Sequence, residues 1–78
     1  MKVIILCAMH RLAREWAQRN KLAPDSFITA TCAARLRGLP ANTVIIVVDT
    51  QCKFEDSRSI DAVLKRFTNV TRKPFTGL

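Results

Sequence analysis

The chain has 78 residues, 49% of them hydrophobic, which excludes a disordered segment and bounds it to one small domain with a limited core. Thirteen Lys and Arg against six Asp and Glu leave a formal charge of +7, a balance that favours nucleic acid, anionic surfaces or acidic protein faces as partners. The positive charges are scattered, so there is no polybasic tail. The longest apolar run, Val3 to Met9, is too short to span a bilayer.

The run "KVIILC" at residues 2–7 is apolar without alternation, the pattern of an interior parallel strand buried on both faces. A helix is predicted from about Met9 to Lys21, with Met9, Leu12, Ala13, Trp16 and Ala17 on one apolar stripe. Arg11, Arg14, Gln18 and Lys21 form a stripe on its outer side. Pro24 and Asp25 break that helix, and "SFITA" at 26–30 reads as a second, shorter strand. Thr31 is placed to cap one or two helical turns in "CAARLR", which Gly38 stops in a left-handed position before Pro40.

Residues 43–48, "TVIIVV", are β-branched throughout and form the third strand. Asp56 or Ser57 can cap a last helix, on which Ile60, Val63, Leu64 and Phe67 recur at i, i+3, i+4 and i+7. The whole reads as an α/β protein: a small three-layer Rossmann-like βαβαβα unit with a three-stranded parallel sheet in order 2-1-3. Residues 1–68 make the domain. The tail at 69–78 either adds an edge strand or stays mobile. With order 2-1-3, "TVIIVV" is a bare apolar edge, which the tail covers or a second copy pairs with to form a homodimer.

Ligands of open parallel sheets bind beyond the carboxyl ends of the strands. Cys7, His10, Cys32, Asp49 and Cys52 all fall on that rim. Thiolate and imidazole suit zinc, and a Cys–His pair suits nucleophilic catalysis, so a zinc- or thiol-dependent activity is the third functional reading. The spacings match no familiar zinc module, however, and the expectation is no metal and no cofactor. The turn after the first strand, "CAMHRL", lacks the glycines that let backbone amides approach a phosphate. Three cysteines without regular spacing suit free thiols, so the cytoplasm is the expected compartment, that of the host cell if a phage encodes the chain.

Two resemblances follow from quoted residues. "TVIIVVDT", residues 43–50, resembles the Walker B strand of P-loop nucleotidases, which would make Asp49 a magnesium-binding carboxylate. The chain departs from that family at Thr50, where a glutamate often follows, and carries no Gly-x4-Gly-Lys-Ser/Thr. Asp49 is therefore read as a strand-end residue that solvates the rim. More broadly, the βαβαβα plan with "ARLRGLPANTVIIVV" is similar to small Rossmann-like proteins of unknown role encoded by bacteriophages. That likeness implies an origin and no particular activity. With no complete catalytic motif, the favoured reading is a non-enzymatic accessory protein of a phage or other mobile element that binds a host macromolecule, a protein. The alternative is sequence-independent nucleic-acid binding through Arg11, Arg14, Gln18 and Lys21, with Arg35 and Arg37 near the rim. No membrane partner is expected.

Overall fold

A computed structural model describes residues 2–50 and 53–75. Its elements are β1 (Val3–Leu6), α1 (His10–Arg19), β2 (Phe27–Ala30), a 3-10 turn at Ala33–Arg35, β3 (Val44–Asp49), α2 (Ser57–Leu64) and β4 (Asn69–Pro74). The strands form one sheet in order β2-β1-β3-β4, and every neighbouring pair is parallel. The expected three-stranded sheet is therefore corrected to four, with the order 2-1-3 kept inside it.

Two apolar layers sandwich the sheet, and the alternation of β1 assigns them. Ile4 and Leu6 join Ile45, Val47, Leu36 and the α2 residues Ile60, Val63 and Leu64 on one face. Ile5 and Cys7 join Val48 and the α1 residues Ala13, Trp16 and Ala17 on the other. Right-handed crossovers require this arrangement. The chain steps from β1 outward to β2 through α1, then reverses across β1 to β3 and on to β4 through α2. A reversal of direction moves the connecting helices to the opposite face.

Local corrections have local causes. Met9 stands just before α1, not on its apolar stripe, and is 42% exposed. The stretch "CAARLR" makes a single 3-10 turn preceded by Cys32, with Thr31 outside the cap position. Its few residues must carry the chain from β2 over β1, which leaves no length for a regular helix. Gly38 does take the left-handed conformation, at φ 83°. The helix α2 stops at Leu64, and Phe67 reaches the core from the turn behind it, where its N–H donates to the Leu64 carbonyl at 3.1 Å.

Of the two alternatives for "TVIIVV", the structure shows the one in which the tail adds a strand beside it. β3 is hydrogen-bonded on both sides, to β1 and to β4, so it offers no edge to a second copy. Thr68 N–H donates to the Ala41 carbonyl at 3.0 Å, and Asn69 Nδ2 to the Asn42 carbonyl at 3.4 Å, which seats the start of β4. Phe75 N–H donates to the Asp49 carbonyl at 2.9 Å and closes its end. No helix among the described residues is long and apolar enough to cross a membrane.

Candidate functional site at the edge of the sheet

The strand-end rim comes first, since the sequence concentrates its reactive side chains there. Cys7 is fully buried beneath α1. His10 opens α1 in an exposed position, its Nδ1 2.8 Å from Thr29 Oγ1. Cys32 is half-buried and lines a cavity of about 490 Å³ with Ala8, Thr31, Glu55 and Asp56. This cavity lies beside the point where strand order reverses, between β1 and β3, the usual ligand position in such sheets. Two carboxylates on its wall make it a poor phosphate site. One oxygen of Asp56 accepts from Ala33 N–H at 3.5 Å, and the other is buried without a hydrogen-bond partner among the described residues.

Asp49 does not line this cavity. Its carboxylate accepts from Arg72 Nη1 at 3.2 Å, and Arg72 Nη2 lies 3.6 Å from Asp61. Arg72 thus ties β3, β4 and α2 together at the surface. The rim residues are not gathered into one cluster. Among the described residues no group of three or more His, Cys, Asp or Glu is placed to hold a metal ion. Cys52 lies outside the described residues.

The basic residues divide between the two faces of the sheet. Arg11, Arg14, Gln18 and Lys21 are all exposed on or just after α1, whereas Arg35 and Arg37 are exposed in and after the 3-10 turn on the opposite face. The six positions therefore form two surfaces. The α1 stripe has a definite neighbour: Arg14 and Gln18 line a groove of about 280 Å³ with Leu22, Pro24, Phe27 and Thr29, so the stripe runs along β2.

β2 is an edge strand, and its open side follows from its hydrogen bonds. Val3 N–H donates to the Ser26 carbonyl at 3.1 Å, and Cys7 N–H to the Ala30 carbonyl at 3.0 Å. Backbone groups alternate in direction along a strand, so Ser26, Ile28 and Ala30 turn toward β1 while Phe27 and Thr29 turn outward. Their N–H and C=O groups have no backbone partner among the described residues. Ile28 projects on the α2 side of this edge and is 48% exposed.

The other edge is built differently. By the same alternation Val70, Arg72 and Pro74 of β4 turn outward, since Phe75 N–H turns inward to Asp49. Pro74, which has no N–H, occupies one of these outward positions and costs the ladder nothing. With Arg72 and Lys73 beside it, β4 carries the charge and proline that discourage strand addition. Order 2-1-3 already makes "SFITA" an outer strand with backbone groups unpaired on one side; sequence reading did not single out Ile28, nor Phe27 and Thr29 as the residues that turn outward. The available signal was the absence of charge and proline within "SFITA".

The fold and this edge define a class: a four-stranded parallel α/β sandwich with one guarded edge and one open edge. Comparison with known proteins adds nothing narrower, as no family model, no curated protein and no solved structure matches the chain.

Proposed function

We propose that this chain is a non-enzymatic accessory protein that acts by binding another protein, and that its binding surface is the β2 edge with the basic stripe of α1. The observation that carries this reading is the asymmetry between the edges. One is blunted by Arg72, Lys73 and Pro74; the other leaves two residues' backbone groups and an exposed Ile28 to solvent. Edge strands of this kind add a strand from a partner. The likeness of residues 34–48 to small Rossmann-like phage proteins supports an origin in a phage or other mobile element, and so a host protein as partner.

Nucleic acid is the second reading, favoured by Arg11 and Arg14, neither of which has an ion-pair partner among the described residues. Trp16 is buried in the core and supplies no stacking platform for bases. The test is capture from a bacterial lysate on the immobilised protein, with and without nuclease. The expected result is a protein that survives nuclease treatment and is lost with Ile28→Lys, a change at an exposed edge position. Loss of all captured protein on nuclease treatment would move the assignment to nucleic acid.

A further inference from the structure

We infer that the β2 edge takes an extended protein segment in which acidic and apolar residues alternate. The inference rests on the reading of β2 as a protein-binding edge and adds the chemistry of its occupant. Three features of the edge specify that chemistry.

The first is the ladder. Phe27 and Thr29 present two N–H donors and two C=O acceptors in a row, a sequence-independent attachment for an extended backbone. The second is the groove on the α1 side. Residues opposed in a ladder project on the same face, so incoming side chains paired with Phe27 and Thr29 enter the groove beneath Arg14 and Gln18. Of the two acidic residues in the segment 10–31, Glu15 accepts from Arg19 at 3.2 Å and Asp25 precedes the strand. Nothing acidic lines the groove, and Arg14 stands over it without an ion-pair partner among the described residues. An Asp or Glu of the occupant answers that charge. The third is Ile28, on the opposite face of the same edge. An incoming side chain paired with it meets an exposed aliphatic surface and is therefore apolar.

A second copy of this chain fits less well. Two-fold pairing of β2 with β2 would set two α1 helices side by side on one face, bringing the Arg14 stripes of two +7 chains together. A polyanion such as nucleic acid satisfies Arg14 but has no use for the ladder groups or for Ile28.

The test uses the full isotope-labelled chain and short, blocked peptides of alternating valine and glutamate. The expected result is saturable binding with amide shifts centred on Phe27 and Thr29. N-methylation of the peptide nitrogens that face β2 should weaken binding by about tenfold or more, the loss of roughly one or two hydrogen bonds. This control leaves the protein untouched. A valine–lysine peptide should bind only after Arg14→Glu. Equal binding of the glutamate and lysine peptides by the unaltered chain overturns the acidic assignment. Absence of shifts at Phe27 and Thr29 overturns the edge assignment. Thr29→Pro, which removes an outward donor, separates this inference from the reading beneath it. If folded Thr29→Pro still captures the lysate protein, binding is elsewhere and the β2-edge reading falls with the inference. If it loses the protein while the glutamate and lysine peptides bind the unaltered chain equally, the inference falls and the reading stands. If the unaltered chain captures no protein, the reading itself falls.

Discussion

Lys21 holds φ at 58°, a left-handed conformation that glycine tolerates and a residue with a Cβ does not favour. The cause lies in how α1 ends. Leu22 N–H donates to the Ala17 carbonyl at 3.0 Å and Lys21 N–H to the Gln18 carbonyl at 3.1 Å, the paired bonds of a Schellman stop with Lys21 at C′. Gly38 has a comparable φ of 83° with open space around its missing Cβ. The two positions predict opposite outcomes. Lys21→Gly should raise stability by about 0.5 kcal/mol, as relief of strain outweighs the added unfolded-state entropy. Gly38→Ala should lower it by about 1 kcal/mol through backbone strain alone. Urea denaturation of both variants checks this, and the same sign for both would refute the conformational account. At this scale Asp49 is also explained: the residue that resembles a metal-binding carboxylate holds Arg72 at the protein surface, the pair being 54% and 55% exposed.

Among the elements, β4 has the most influence for its composition. Its burial is slight, with only Val70 packed against the α2-side core, yet it occupies the whole length of β3 from Val44 to Asp49. Removing it would expose the backbone of "TVIIVV", six residues with no charge or proline before Asp49. Such an edge invites pairing with other chains. Truncation after Thr68 should therefore produce a chain that aggregates or dimerises, measured by light scattering over a concentration series. A truncated chain that stays monomeric would mean that β4 does not protect this edge. Arg72 and Pro74 show how β4 serves as a terminal strand: one is tied inward by Asp49 and Asp61, the other turns its missing donor outward.

For the whole molecule, charge and topology act together. Direction reverses once, between β1 and β3, so α1 and α2 cover opposite faces and each completes a separate apolar layer. With β3 internal and β4 guarded, self-association is left to β2, where the basic stripes of like-charged chains would meet. The expected state of the full chain is a monomer at low ionic strength, with weak association appearing as salt screens the stripes. Sedimentation across salt and concentration measures this. A stable dimer at low salt would show that another surface pairs.

The sequence by itself determined the individual elements and the sides they bury. Uniform apolarity marked "VIIL" and "TVIIVV" as strands covered on both faces, and the 3.6-residue spacing of Ile60, Val63 and Leu64 oriented α2. These are local signals, because a residue's position along a strand or helix sets its direction. The order 2-1-3 was also legible, since right-handed crossovers leave few alternatives. Only the tertiary structure decided that "NVTRKP" is a fourth parallel strand, since five of its six residues are exposed and its pairing comes from backbone bonds that any side chains can accompany. It also decided that Arg72 meets Asp49, 23 residues away in the chain. β2 was an outer strand in order 2-1-3 already; once β4 occupied the side of β3 and brought its own charge and proline, β2 was left as the unguarded edge. Edge exposure is a property of the assembled sheet, set by which strand is left without a neighbour, and no local pattern encodes it.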